Sequence, residues 1–447
     1  MYNKAVEFLF NPLSAKLGRH SDRTKNAGFT AAALLLFFIY FLRYSGLADF
    51  RYLYYYVVGC VALGVMMLCS VRGPIQPVRF KLPLFIIWLL IGLLQFISGL
   101  HNSVDYLPEA LLFLVVFPIL FILWNNMGFE TVFKLLIRAC TLSFCFYIAV
   151  CFIFFPIEGA HYSGLFTNPN GAAEYLSLVF CCLLFEVFTA ESRKKRIWST
   201  VLIGVCTAFL FYSNSRTGQL SAILAFVCFV IMYVVTRGIK DKRFWISCAG
   251  VLLSSAVCCL GLYYVFELRG YIPLPVYDNV KNQFYYTGEG FNDFNSIYEV
   301  TEAKTAVSGR TADNVSSGRI SIWQVFFSKL NLSGHKTGGY LYIPALKRSY
   351  STCHNYVLQF AYDNGIFAGV AVAVYLVYSG INAIIHGLDN KKNVYALFPI
   401  IVSVAFGVTA MLSSNTVTFW YILLAYFYFV QGALITRTEN APKETDI

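Results

Sequence analysis

The sequence predicts an all-α integral membrane protein with about twelve transmembrane helices. Of its 447 residues, 58% are hydrophobic and only 13% are charged, and the mean hydropathy is +0.63. About a quarter of the residues of an ordinary soluble domain are charged, so this composition excludes that class. Twelve apolar runs are long enough to cross about 30 Å of hydrocarbon as helices. A single long polar segment separates the ninth run from the tenth.

The predicted spans are residues 28–44, 52–71, 82–100, 107–124, 135–157, 171–190, 197–213, 218–236, 244–267, 365–386, 393–413 and 417–435. The first span is followed by SGLA, as in a signal peptide, but its apolar core is too long for one, and we expect an uncleaved helix. The chain divides into helices 1–9 in residues 1–267, an extracytoplasmic loop with short helices in 268–364, helices 10–12 in 365–436 and a cytoplasmic tail in 437–447.

The net charge of +11 is explained by topology. Most of the 34 Lys and Arg residues flank the spans on one side, as in RKKR at residues 193–196. By the positive-inside rule, both termini are then cytoplasmic and the long loop is extracytoplasmic. No polar segment alternates basic and aromatic residues, so we expect no nucleic-acid partner. The 13 cysteines include no CxxC pair and lie mostly in apolar runs, which predicts small hydrophobic side chains and no metal site.

The loop before the sixth span reads HYSGLFTNPNGAAEY and places His161, Asn168, Asn170 and Glu174 at the mouth of that helix. Asn-Pro-Asn-Gly predicts a turn and a helix start at about Gly171. A helix N-terminus attracts anions, although the same pattern by itself is also that of a plain tight turn.

The short outer connection YSNSRTGQLS contains Arg216, on the side of the membrane where basic residues are scarce. Two interpretations are open. The side chain either extends to lipid headgroups or holds an anionic group. A planar guanidinium suits phosphate, because it donates two parallel hydrogen bonds.

The stretch SSGRISIWQVFFSKL predicts a short amphipathic helix on the membrane surface, with Ser316 or Ser317 as its N-cap. Arg319 lies one turn before Trp323 on about the same face, so its guanidinium is expected to point toward the bundle. A purely interfacial role for Arg319 is the alternative.

The stretch CHNYVLQFAYDNG predicts a helix that carries His354, with Asn355 and Gln359 beside it, and that is broken at Asn-Gly before the tenth span. A single His is either a structural residue or a proton acceptor whose ordinary pKa of about 6.5 suits catalysis near neutral pH.

Together these features resemble the O-antigen ligase/polymerase superfamily. It comprises bacterial membrane glycosyltransferases such as O-antigen ligases, Wzy-type polysaccharide polymerases and teichoic acid ligases. The resemblance covers the topology and four local matches in order: GLFTNPN at 164–170, SRTG at 215–218, R-x-x-x-W of Arg319 and Trp323 with the glycine turn at 334–339, and H-N-x-x-L-Q at 354–359 followed by Gly-Ile.

The resemblance implies a GT-C-like fold and an inverting transfer on the outer face of the bacterial cytoplasmic membrane, without metal or cofactor. The donor would be a glycan on a polyprenyl diphosphate, and the acceptor a hydroxyl of a glycan or of a lipid-linked molecule. His354 would accept the proton of that hydroxyl, and Arg216 and Arg319 would hold the diphosphate. Both roles make physical sense, because His titrates near ambient pH and Arg stabilises the growing charge of the leaving group.

Further candidate substrate-binding residues are His161, Asn168, Asn170, Asn355 and Gln359. The Tyr- and Asn-rich first part of the loop, within residues 270–315, either recognises the acceptor or only covers the bundle mouth. For the two arginines and His354 to act together, the mouth of the eighth span must lie beneath the long loop.

Three functions are compatible with the sequence. A surface polysaccharide (O-antigen or capsule) polymerase is slightly favoured over a ligase of the same family, because of the sugar-stacking composition of the loop. The third is a non-enzymatic flippase for lipid-linked oligosaccharides. Transporters often carry ionisable residues within their spans, whereas here the polar chemistry lies on one face, which favours one-sided catalysis.

Overall fold

The fold was analysed in a computed structural model, which describes residues 1–45, 52–157, 161–269, 275–278, 283–286, 318–336, 339–412 and 417–438. The α-helices of these segments are α1 (Tyr2–Leu17), α2 (Asp22–Tyr44), α3 (Tyr52–Ser70), α4 (Leu82–His101), α5 (Leu107–Leu111), α6 (Phe117–Met127), α7 (Phe129–Phe154), α8 (Pro169–Thr189), α9 (Arg193–Tyr212), α10 (Arg216–Arg237), α11 (Lys242–Arg269), α12 (Arg319–Ser328), α13 (Tyr356–Asn364), α14 (Ile366–Asp389), α15 (Phe398–Leu412) and α16 (Ile422–Ala433).

Ten helical segments in the described part of the chain are long and apolar enough to cross a membrane. Two shorter apolar helices, Tyr54–Ser70 and Ile422–Ala433, coincide with the second and twelfth predicted spans. An all-α integral membrane protein is therefore confirmed, and the number twelve stays a prediction. The fourth predicted span is irregular, because a π-helical turn at Leu112–Val116 joins α5 to α6.

No helix is predicted before the first span, where the structure has α1. The Tyr2 hydroxyl donates to the carbonyl of Leu114 at 2.5 Å, and Asn3 donates to the carbonyl of Val78 at 2.8 Å. Among its described side chains, Val6 and Phe10 are the buried apolar ones, which is too few residues to mark the helix in the sequence.

Helix α8 is the centre of the bundle. It packs against α7, α9, α10, α15 and α16, and nearly all of its side chains are buried. Small residues allow close approach between helices in a membrane. At the contact between α8 and α10, a Cβ atom on Gly218 would lie 2.6 Å from the Cβ of Ala173. The glycine of the SRTG motif therefore sets the distance between the starts of these two helices.

Three pairs of short antiparallel strands complete the described structure. They are β1 (Val78–Phe80) with β6 (Thr436–Thr438), β2 (Pro275–Asp278) with β3 (Gln283–Tyr286), and β4 (Leu341–Ile343) with β5 (Arg348–Tyr350). The last two pairs belong to the polar segment between α11 and α14.

The segment 331–336 fixes the junction between α13 and α14. The amide of His335 donates to the carbonyl of Asp363 at 3.2 Å, and the amide of Ile366 donates to the carbonyl of Asn331 at 3.0 Å. The His335 ring stacks on Tyr362, with centroids 4.0 Å apart and planes at 6°. The predicted helix break is confirmed, since α13 ends at Asn364 and α14 begins at Ile366.

Candidate active site

A cavity of about 220 Å³ lies where α8 and α10 begin, at one end of the bundle. Its walls include Asn168, Asn170, Glu174, Ser215, His354 and Tyr421. The opposite end of α8 carries Glu186, whose carboxylate pairs with Lys195 at 2.7 Å. The cavity therefore lies at the other end of the bundle from the basic residues that begin α9.

Hydrogen bonds organise the start of α8. The Asn168 side chain caps the helix by accepting from the amide of Asn170 at 2.8 Å, and Asn170 Oδ1 accepts from the Ser215 hydroxyl at 3.0 Å. The helix begins at Pro169, within two residues of the predicted start. Asn168 thus caps α8, and Asn170 joins α8 to the start of α10 beside the cavity. His161 is exposed, with φ of +69°, and is not among the described residues that line the cavity.

The two arginines come from different helix starts. Arg216 is the first residue of α10 and is exposed, whereas Arg319 is the first residue of α12 and is half-buried. Partial burial, and secondly the positive charge of Arg216, lower the pKa of Arg319. Two like charges held within electrostatic range repel each other, and an anion bound between them would remove that cost.

Helix α12 has the predicted position, and Gly318 precedes it with φ of +78°, whereas Ser316 and Ser317 lie outside the described residues. Phe326 of this helix is buried and packs edge-on against Tyr362 of α13, with ring centroids 4.8 Å apart. This contact holds α12 on α13 and so brings Arg319 toward the segment that carries His354.

His354 does not lie in the helix that the sequence predicts to carry it. Asn355 is the N-cap of α13 and accepts from the amide of Leu358 at 2.9 Å, so His354 precedes the helix. Its φ of +54° turns the chain at this point, and the ring lies edge-on to Tyr350 at 6.3 Å. Asn is a preferred N-cap residue, and that signal could have shown that the helix starts after the histidine.

The imidazole of His354 lines the cavity and interacts electrostatically with Arg319. Burial, and secondly the charge of Arg319, lower the pKa of His354 below its ordinary value. Both causes disfavour the imidazolium. The ring is consequently neutral near pH 7 and able to accept a proton.

Gln359 lies behind His354. Its Oε1 accepts from the amide of Cys353 at 2.8 Å, and its Nε2 donates to Asp363 Oδ1 at 2.9 Å. The side chain is buried and supports the turn at His354. A contact of Gln359 with substrate stays a prediction, which these interactions do not favour.

On the other side of this turn, an apolar groove of about 790 Å³ runs between α12, α13 and α14. Its walls include Trp323, Phe327, Asn355, Leu358, Ala361 and Val370. Asn355 therefore faces the groove, whereas the preceding residue, His354, faces the cavity.

Glu174 is the residue to which the sequence analysis gave no role. It lies one turn into α8, is 5% exposed and lines the cavity that His354 also lines. The surrounding tyrosines come from distant segments, Tyr44 from the end of α2 and Tyr421 from the start of α16. No local motif joins these residues, so sequence alone could not group them.

Fold and site together define a multi-pass membrane protein with a cationic site and a histidine-lined cavity at one end of its helical bundle. Residues 204–373 match the family model Wzy_C, described as O-antigen ligase. The match includes Arg216, Arg319 and His354, and it confirms the resemblance to the O-antigen ligase/polymerase superfamily. No curated protein matches the sequence significantly.

Proposed function

We propose that the protein transfers a glycan from a polyprenyl diphosphate to a hydroxyl of an acceptor, with inversion and without a metal. The observation that carries the proposal is the convergence of Arg216, Arg319 and His354, which are spread over 139 positions of the sequence and interact electrostatically in the fold. The roles of these residues agree with the chemistry of that reaction.

In the reaction, the acceptor oxygen attacks the anomeric carbon and the bond from that carbon to the diphosphate breaks. The electron pair leaves with the diphosphate oxygen, and the hydroxyl proton moves to a nitrogen of His354. Arg216 and Arg319 stabilise the negative charge that grows on the leaving group. In this step that charge is a larger electrostatic demand than the proton transfer to His354. The neutral imidazole supplies the base.

The apolar groove supports a lipid-linked donor. It begins one residue from His354 and is lined mainly by the apolar side chains of α12, α13 and α14. A polyprenyl chain that enters from the bilayer along this groove would bring its diphosphate to the arginines. Asn355 would then lie beside the donor, as the sequence analysis predicted for substrate binding.

We also propose a membrane topology for the chain. Twelve spans in a GT-C-like arrangement, with an extracytoplasmic loop at 268–364 between the ninth and tenth helices, leave both termini in the cytoplasm. The site then lies on the extracytoplasmic face of the bacterial cytoplasmic membrane. The distribution of Lys and Arg along the chain supports this orientation.

Within this activity we favour a surface polysaccharide polymerase, with an O-antigen or teichoic acid ligase as the alternative. A reconstituted reaction with purified lipid-linked glycan separates the two, because a polymerase gives a ladder of longer lipid-linked glycans and a ligase moves the glycan to a second molecule. Movement of the donor across vesicles at constant glycan length would instead establish a flippase.

The residue roles are tested with His354→Ala and Arg319→Ala, which should leave the protein folded and abolish transfer. Matched controls are His101→Ala and Arg348→Ala, which remove exposed side chains of the same types. Full activity of His354→Ala and Arg319→Ala would refute the assignment of these two residues.

A further inference from the structure

We propose that the cavity at the start of α8 is the acceptor site, and that Glu174 holds the terminal sugar of the acceptor by accepting hydrogen bonds from its hydroxyls. This inference rests on the proposed glycosyl transfer and deepens it. It moves acceptor recognition from the Tyr-rich part of the loop to residues within the bundle.

The size of the cavity is the first argument. At about 220 Å³ it is smaller than the roughly 300–1,000 Å³ pockets that hold drug-sized ligands. It has room for one sugar residue but not for an oligosaccharide. A site for the end of a growing or receiving glycan needs no more than this, because only the terminal sugar carries the attacking hydroxyl.

The charges of the two regions are the second argument. The guanidinium groups of Arg216 and Arg319 are within electrostatic range of each other, whereas the wall of the cavity carries the carboxyl of Glu174. The oxygens of a buried carboxyl group accept hydrogen bonds from the hydroxyl groups of a neutral ligand, and a diphosphate offers no comparable donors. The diphosphate is thus directed to the arginines, and the sugar to the cavity.

The third argument is the composition of the walls. Tyr44 and Tyr421 line the cavity, with ring centroids 6.1 Å apart. Both tyrosines interact electrostatically with Glu174. Aromatic rings with polar edges beside a carboxyl suit a sugar, which presents apolar C–H faces and a rim of hydroxyls.

The geometry also suits inversion, in which the nucleophile and the leaving group lie on opposite sides of the anomeric carbon. His354 lines the cavity and interacts with Arg319. A sugar in the cavity can therefore present a hydroxyl to the imidazole, and the proposal puts the anomeric carbon of the donor between that hydroxyl and the arginine-bound diphosphate.

The test measures sugar binding without turnover, on the full-length protein in nanodiscs. Saturation-transfer NMR is recorded with a panel of methyl glycosides of neutral and N-acetylated hexoses and deoxyhexoses, and farnesyl diphosphate binding is measured in the same samples. We expect at least one glycoside to bind and Glu174→Gln to weaken it roughly 10-fold or more, as for loss of a hydrogen bond to a charged group. Farnesyl diphosphate should bind both proteins equally.

The matched control is Glu186→Gln, at the other end of α8, which should leave glycoside binding unchanged. Thr217→Phe places a bulky ring in the cavity wall without altering a charge, so it tests the site even where Glu174→Gln misfolds. A deoxy glycoside that lacks the hydroxyl held by Glu174 should bind wild type and Glu174→Gln alike.

Two results would overturn the acceptor site. One is that no glycoside binds the wild-type protein. The other is that Glu174→Gln or Thr217→Phe weakens farnesyl diphosphate and leaves glycosides unaffected, which would assign the cavity to the diphosphate. These results are distinct from a failure of the proposed function. The proposed function fails if the wild-type protein transfers no glycan, whether or not it binds a glycoside.

Discussion

Replacing Gly365 by Ala should destabilise the junction between α13 and α14, and through Asp363 and Gln359, which connect the end of α13 to Cys353, it should open the turn at His354. Gly365 has φ of +94° and ψ of 158°, a backbone conformation that costs another residue about 1–3 kcal/mol. A Cβ atom there would also lie 2.2 Å from the carbonyl oxygen of Leu332, which is backbone and cannot rotate away. Overpacking of this kind costs about 1–3 kcal/mol, so the junction should lose about 2–6 kcal/mol when both costs are added.

The thiol of Cys353, at the other end of α13, reports on this loss of stability. It is fully buried, its Sγ donates to the carbonyl of Asn355 at 3.2 Å, and burial raises its pKa to about 12. Maleimide therefore reaches it only when the turn opens. Since about 1.4 kcal/mol is a factor of ten, Gly365→Ala should speed the labelling of Cys353 by about 30-fold or more, as followed by peptide mass spectrometry.

Gly380→Ala is the matched control. Gly380 lies inside α14 with nothing near the position of an added Cβ, so Ala should leave the labelling of Cys353 unchanged and stabilise the helix slightly. Glycan transfer should fall with Gly365→Ala and persist with Gly380→Ala. If Gly365→Ala is labelled and transfers glycan like the wild-type protein, the junction does not position His354.

Three further predictions concern the same region. Because the charge of Arg319 helps lower the pKa of His354, Arg319→Gln should raise that pKa, which NMR titration of the His354 ring would follow without turnover. Arg319→Lys should leave the pKa in place, and an equal pKa in both variants would contradict the coupling. Burial raises the pKa of Asp363 in the folded protein to about 7. Between about pH 4 and pH 7 this carboxyl is therefore ionised in the unfolded chain but protonated in the folded protein, so stability falls as the pH rises. Asp363→Asn should remove that fall, as measured by thermal unfolding at about pH 5 and pH 8. Asn170→Ala removes the bond to Ser215 and should cost about 0.5–1.5 kcal/mol, which thermal unfolding in nanodiscs would detect and unchanged unfolding would refute.

The part of the fold that hydrophobicity determines could be predicted from the sequence. Ten of the predicted spans coincide with long apolar helices of the described structure, because a helix that crosses lipid must be long and apolar. The break before α14 was predictable as well, since Asn-Gly is a strong turn signal. The interruption between α5 and α6 was not, because a π-turn changes the hydrogen bonding of the backbone and leaves the apolar composition of Leu112–Val116 intact.

The charged and titratable residues of the candidate site are predictable from the sequence, whereas the contacts between its parts are less so. The three titratable residues are predictable from their motifs, from the family resemblance and from the outer position that the charge distribution predicts, and the fold brings them within electrostatic range. The acceptor cavity was not foreseen, because its walls are assembled from α2, α8, α10, α15 and the segments before α13 and α16. Such a grouping depends on which helices are neighbours, and apolar periodicity carries little information about that.

Because the charge of Arg319 affects the pKa of His354, binding of the donor should change the basicity of the imidazole before the proton is transferred. In the free protein, the charge of Arg319 helps keep the pKa of His354 low, so the imidazole is a weak base. A bound diphosphate would neutralise that charge and make the imidazole more basic at the moment when a proton must be taken from the acceptor. The acid limb of kcat, which reports the enzyme–substrate complex, should therefore lie at higher pH than the limb of kcat/KM, which reports the free enzyme. Coincident limbs would mean that His354 does not respond to the donor, and that the arginines bind it too far away to assist the base.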